Sequence, residues 1–112
     1  MLPCVRVKDG VEFTMIAPGG FCILAAINAT TAFVGRDLTI TSACDGIHSG
    51  IDDPHHRGEA YDVRTHDLPD KLAALQQIIN LLGEERFYCF LEDPDSENEH
   101  IHCQVRRGIP FP

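Results

Sequence analysis

The segment between Pro69 and Gly83 restricts the fold more than any other part of the sequence. Its aliphatic residues recur at intervals of three and four, which is typical of a helix with one apolar face. Asp67 can cap the start of this helix, and Gly83 can end it. The rest of the chain must then supply a surface against which the apolar face packs. The aliphatic residues are Leu72, Leu75, Ile78, Ile79 and Leu82.

Short alternating runs elsewhere predict the strands of a sheet. Asp9-Gly10 separates two such runs and predicts an N-terminal hairpin of two short strands. Four further runs have the alternation or the β-branched content of strands. They occupy residues 37–43, 58–64, 86–91 and 100–106. Residues 44–57 are expected to form a long loop, and long loops within compact domains are often functional.

A second helix is expected over residues 21–33, introduced by Pro18 and ended by Gly35. It is apolar on nearly every side, which favours a helix buried in the core. The order of elements, β-β-α-β-loop-β-α-β-β, indicates a small α+β fold with two helices packed on a largely antiparallel sheet. A length of 112 residues predicts a single domain covering 1–112.

Charge and hydropathy exclude several classes of partner. A formal charge of −8 opposes binding to nucleic acid or to anionic lipid, since both interactions need Lys and Arg. No apolar run is long enough to span a membrane, and the N-terminus lacks the pattern of a secretory signal. We therefore expect a soluble protein that is cytoplasmic or is released by a lysis partner.

The five cysteines are scattered and include no CxxC pair. An odd number cannot pair completely within one chain, so reduced and mostly buried thiols are expected. Their spacing is also wrong for zinc bound by several thiolates. Any metal must therefore be held by His and carboxylate groups.

Two segments carry such groups. If residues 59–64 are extended, Ala60, Asp62 and Arg64 share one face, and Gly58 lets the loop that carries His55 fold back beside Asp62. His100 and His102 likewise share one face of a later strand. Two His and one Asp leave a fourth position for water, as in a catalytic zinc site.

The combined pattern resembles the zinc D-Ala-D-Ala metallopeptidase family. Its motifs are HxxGxAxD at residues 55–62 and ExxH, containing His-x-His, at residues 99–102. The family includes bacterial DD-carboxypeptidases, D,D-dipeptidases, phage endolysin peptidases, murein endopeptidases and the hedgehog signalling domain. The resemblance covers residues 38–105 and implies the small α+β fold of that family.

The resemblance also implies roles for individual residues. Glu99 would act as general base and then as acid, and His100 competes for this catalytic role because some members place a histidine two positions before the last ligand. His56 could replace His55 by a one-residue slip, although only His55 has the family spacing. The implied ligands of one zinc ion per chain are His55, Asp62 and His102.

The sequence departs from the family at two places. Asp53 stands where many members have serine, and the region 44–50 lacks the arginine that often binds the substrate carboxylate or polarises its carbonyl. His48 is a candidate substitute for binding substrate.

Three functions therefore remain open. The first is a zinc peptidase that acts on a peptidoglycan stem peptide, of the D-Ala-D-Ala carboxypeptidase or endopeptidase type. The second is a non-catalytic zinc-bearing binding or structural module of the same fold. The third is a metal-free interaction domain.

Overall fold

The structure is a computed structural model that describes residues 2–44, 55 and 57–106. These residues contain five strands and two helices. The strands are β1 (Val5–Val7), β2 (Leu38–Ser42), β3 (Ala60–Arg64), β4 (Phe87–Glu92) and β5 (His100–Val105), and the helices are α1 (Pro18–Val34) and α2 (Lys71–Leu82). The strands form one sheet in the order β1-β2-β3-β5-β4. Only the β1–β2 pair is parallel among these strands, which confirms the predicted α+β fold with a largely antiparallel sheet.

The helices cover one face of the sheet. Val63, Ile101 and Cys103 point from the central strands into a core that also contains Ile27 of α1 and Ile78 of α2, and all five side chains are fully buried. Because side chains alternate along a strand, the intervening residues point to the opposite face. That face lines an open cleft and carries the candidate site.

The predicted N-terminal hairpin is wrong. Asp9 and Gly10 do form a turn, with Gly10 at φ +90°, but no strand follows it in residues 11–17. Instead, β1 pairs with β2, and the Asp37 carboxylate accepts hydrogen bonds from the Cys4 amide at 2.8 Å and from Arg6 at 2.6 Å. A turn signal fixes the local bend, whereas the distant Asp37 helps to fix the strand's partner.

Helix α1 ends before Gly35 as predicted, but it is not buried all round. Phe21 and Phe33 are 60% and 59% exposed. The buried side contains Ile23 and Thr30, and the Thr30 hydroxyl donates to the Ala26 carbonyl at 2.7 Å. The prediction of a helix buried on nearly every side is therefore wrong, because apolar residues also occupy its exposed side.

Helix α2 ends before Gly83, as predicted, but begins at Lys71 rather than at Pro69. Asp70 is its N-cap residue and makes no side-chain capping bond, so the expected cap by Asp67 is wrong. Leu72, predicted to lie on the apolar face, is 65% exposed.

The thiols are divided between the core and the surface. Cys44 and Cys103 are buried and Cys89 is half-buried, whereas Cys4 and Cys22 are exposed. All five are free. Among the described residues, no helix has the length and apolarity needed to cross a membrane.

Candidate metal centre

Strand register brings Asp62 and His102 together. They lie directly opposite each other on β3 and β5. In the same register, Glu59, which directly precedes β3, lies opposite Val105, and the Val105 amide donates to the Glu59 carbonyl at 3.0 Å. Hydrogen-bonded and non-hydrogen-bonded pairs alternate along an antiparallel ladder, so Asp62 and His102, three positions away, form a non-hydrogen-bonded pair. Side chains of such pairs approach each other most closely. The Nδ1 atom of His102 accordingly lies 2.9 Å from Oδ1 of Asp62.

A tight loop places His55 beside this pair. Gly58 has φ +70°, a conformation that favours glycine, and its amide donates to the His55 carbonyl at 3.1 Å. The Gly58 carbonyl accepts from the Ala17 amide at 3.1 Å and from the Tyr61 hydroxyl at 3.2 Å. These bonds fix the loop against the start of α1. The buried His55 ring then has Nε2 3.5 Å from Oδ1 of Asp62.

His100 and Glu92 complete the cluster from the other side. They are opposed on β5 and β4, and His100 Nε2 lies 3.0 Å from Glu92 Oε1. The same nitrogen is 3.6 Å from Oδ2 of Asp62, the oxygen that does not face His55. Glu92 Oε1 is also 3.6 Å from Nδ1 of His102. Asp62, Glu92, His100 and His102 thus present ligand atoms that all lie within 4.8 Å of one another, and together they could bind a metal ion.

In His55 and His100, one ring nitrogen bonds a backbone carbonyl and the other faces the carboxylates. The bond made by the first nitrogen determines whether the second carries a proton or a lone pair. Nδ1 of His55 is 2.9 Å from the Ala43 carbonyl oxygen, and Nδ1 of His100 is 2.6 Å from the Asn98 carbonyl oxygen. A carbonyl oxygen only accepts, so Nδ1 is the donor in both rings. Nε2 of each ring therefore faces a carboxylate oxygen: it donates to that oxygen while the ring is protonated, and it offers a lone pair to a cation once the ring is neutral.

The donor set fits a divalent metal as that cation. Imidazole and carboxylate are common ligands of zinc, and metal-bound histidines usually donate their other N–H to an acceptor. His102 follows this rule as well, with Nε2 2.7 Å from Oε1 of Gln104. Four N–O separations in the group are 2.9 to 3.6 Å, near the edge of roughly 3.4 Å expected for a tetrahedron with bonds of about 2.1 Å. No two ligand atoms of the group are more than 4.8 Å apart.

Electrostatics keep the central carboxylate ionised. Burial acts to raise the pKa of Asp62, but hydrogen bonds with His102 and His55 and the charges of His55 and His100 outweigh it and lower the pKa. Burial acts to lower the pKa of His102, and its bonds with Asp62 and Gln104 reverse that effect and raise it. Asp62 is therefore available as an anionic ligand.

Glu99, the predicted general base, lines the cleft but has strong partners away from the cluster. Its carboxylate accepts from Lys71 Nζ at 2.8 and 2.9 Å, from Thr65 Oγ1 at 2.6 Å and from the Asp95 amide at 2.8 Å. These bonds, that of Asp95 foremost, lower the pKa of Glu99 to about 2. A carboxylate held in this way is a weak base, so the geometry favours His100 of the two predicted catalytic residues.

The cleft has a volume of about 900 Å³. Asp62, His55, His100 and His102 lie along it, with the cations Lys8 and Arg64 among the other lining groups. The predicted substrate-binding residue His48, the alternative ligand His56 and the departure at Asp53 all lie outside the described residues.

Sequence reasoning missed three contributors to the site. Glu92 begins the acidic run of residues 92–99, whose composition is typical of a solvated turn, but it ends β4 and pairs with His100. The period-two alternation from Phe90 to Glu92 was the available signal, since Phe90 packs its ring 5.2 Å from that of His102. Gln104 is two residues beyond His102, so the same alternation predicts that it lies on the same face of the strand. The Ala43 carbonyl gave no signal in the sequence.

Comparison with protein-family models, with curated proteins and with solved structures gives no match for this chain.

Proposed function

We propose that this domain is a zinc-dependent hydrolase of small peptides. The observation that carries the proposal is the convergence of three imidazole nitrogens on the two oxygens of Asp62, with each ring bonded to an acceptor on its outer side. His55 Nε2, Asp62 Oδ1 and His102 Nδ1 would hold the metal. A divalent ion at this position would polarise a carbonyl oxygen and lower the pKa of a water molecule.

The remaining pair, His100 and Glu92, is suited to proton transfer. His100 Nε2 faces the cluster at 3.6 Å from Asp62 Oδ2, and its Nδ1–H is donated to the Asn98 carbonyl. A neutral His100 can therefore accept a proton at Nε2 from a water molecule in the cleft. Glu92 Oε1, at 3.0 Å, stabilises the imidazolium that forms. His100 then returns the proton to the leaving amine.

The substrate assignment follows from the resemblance of HxxGxAxD and ExxH to the D-Ala-D-Ala metallopeptidases. We therefore propose a peptidoglycan stem peptide as substrate, with carboxypeptidase or endopeptidase cleavage. Lys8 and Arg64 line the cleft and would contact carboxylate groups of such a peptide.

The second candidate is a zinc-bearing module without turnover. The observation that favours it is that Glu92 and His100 lie as close to Asp62 and His102 as metal ligands do. If all four bind one ion, no position remains for water, and the site resembles a closed structural centre.

Two variants separate these candidates. In the hydrolase, His100→Ala and Glu92→Gln should each keep about one metal per chain while release of D-Ala or cleavage of a peptidoglycan stem peptide falls by about 100-fold or more. His66→Ala is the matched control, because His66 also lines the cleft but bonds the Glu97 carbonyl at 2.7 Å. Loss of metal in both variants, with no cleavage by the wild type, would favour the structural module.

A further inference from the structure

Two cysteines face each other directly across β4 and β5. Cys89 and Cys103 are partners in the antiparallel register. The Arg106 amide donates to the Arg86 carbonyl at 2.8 Å, so that opposed pair is hydrogen-bonded and, three positions further along, Cys89–Cys103 belongs to the alternate, non-hydrogen-bonded class. Opposed Cα atoms of that class are about 4.5 Å apart. This separation lies within the range of about 4.4–6.8 Å observed for disulfides.

The side chains are oriented for the same bond. Both lie on the helix-covered face of the sheet, where Cys103 is fully buried in the core and Cys89 packs against the core's edge. Cys89 is half-buried, so a small oxidant can reach it before it reaches Cys103.

The other thiols have different surroundings. Cys44 donates to the Met15 carbonyl at 3.2 Å, and Cys4 and Cys22 are exposed. Among the described strands, no other pair of cysteines is opposed in a register.

We propose that Cys89 and Cys103 form a redox modification site, at which hydrogen peroxide produces a disulfide between strands β4 and β5. The Cys89 thiolate attacks one peroxide oxygen, the O–O bond breaks, and hydroxide leaves and takes up the released thiol proton as water. The Cys103 sulfur then attacks the Cys89 sulfur, the S–O bond breaks, and the departing hydroxide takes the Cys103 proton. Two thiols and one peroxide give one disulfide and two waters.

The bond would join the two strands that carry three of the four residues that could bind a metal ion. Glu92 lies on β4, and His100 and His102 lie on β5, all on the opposite face from the thiols. The disulfide closes the segment 89–103 into a loop and restricts the unfolded chain, so the oxidised protein should unfold at a higher temperature than the reduced protein. This inference does not depend on the proposed hydrolase activity.

The test starts from the Cys4→Ser/Cys22→Ser protein, which removes both exposed thiols and with them the simplest route to links between molecules. The protein is treated with hydrogen peroxide, unfolded, alkylated with N-ethylmaleimide and weighed intact by mass spectrometry. We expect one alkylated thiol after oxidation and three after reduction, a linked peptide containing Cys89 and Cys103 in the unreduced digest, and a raised Tm in the oxidised form.

Cys89→Ala serves as the control, because its side chain is only half-buried and its loss is the less disruptive of the two. In the same background it should show two alkylated thiols with or without peroxide, and its Tm should not rise. Three alkylated thiols after oxidation would overturn the proposal. So would sulfinic acid at Cys89 without a linked peptide, or a link from either cysteine to Cys44.

Discussion

Gly58→Ala should damage both the fold and the metal centre, and Gly35→Ala should damage only the fold. The two glycines have nearly the same backbone conformation, with φ +70° and +72°. A Cβ at Gly58 would overlap the Met15 carbonyl oxygen and lie 2.7 Å from its carbon and 3.1 Å from the Ala17 nitrogen. A Cβ at Gly35 would meet nothing within 4 Å.

The expected magnitudes follow from this difference. A left-handed alanine costs about 1–2 kcal/mol at either position. At Gly58, overpacking against rigid backbone adds about 1–3 kcal/mol, so the loss of unfolding free energy should be about 2–5 kcal/mol. Relief of the overlap moves the loop that carries His55, which should weaken zinc binding by about 10- to 100-fold.

Urea unfolding measures the stability of both variants, and competition with a fluorescent zinc chelator measures their affinity. Gly35→Ala should keep wild-type zinc affinity at a stability loss of about 1–2 kcal/mol. Equal stability losses in the two variants, together with unchanged zinc affinity in Gly58→Ala, would refute the account of how this loop positions His55.

Three further predictions concern Gln104 and the Lys71–Glu99 ion pair. Gln104→Leu removes the acceptor 2.7 Å from His102 Nε2, so zinc affinity measured by chelator competition should fall by about 10- to 100-fold; unchanged affinity would contradict the orienting role. Lys71→Met leaves the buried Glu99 carboxylate without its cation, so the urea midpoint should fall, and adding Glu99→Gln should restore part of the loss. Because the folded-state pKa of Glu99 is lowered from 4.5 to about 2, its stabilisation is complete above pH 4.5 and disappears as the pH falls towards 2. The urea midpoint of Glu99→Gln should therefore fall less between pH 4.5 and 2 than that of the wild type. The same dependence of the midpoint on pH in both proteins would contradict this role of Glu99.

The part of the site that follows strand alternation was predictable. With a period of two, Asp62 shares a face with Arg64, and His100 with His102, and the structure places these residues along the cleft. The long-range pairing of β3 with β5, which sets Asp62 against His102, has no signal of its own in either strand. HxxGxAxD lies within residues 55–62 and connects only His55 with Asp62, so His102 entered the expected ligand set through the resemblance to the D-Ala-D-Ala metallopeptidases and not through any predicted strand pairing.

Other features depended on contacts between distant residues. Glu99 precedes β5, and its direction is set by Lys71 and Thr65, neither of which its local sequence reveals. Strand β1 pairs with β2, supported by the hydrogen bond from the Cys4 amide to the Asp37 carboxylate, and not with a strand after the Asp9-Gly10 turn. Helix α1 leaves Phe21 exposed because only one of its sides meets the sheet and α2. Periodicity predicts that an element exists, whereas its partners depend on the whole chain.

Metal content tests the central claim most directly. Untagged protein, purified without added metal and then dialysed against zinc, should contain about one zinc ion per chain by elemental mass spectrometry. His55→Ala and His102→Ala should lose that ion, and His66→Ala should keep it, with circular dichroism confirming that all three variants are folded. A wild-type protein without zinc, or full zinc content in both ligand variants, would contradict the assignment of this cluster as a metal centre.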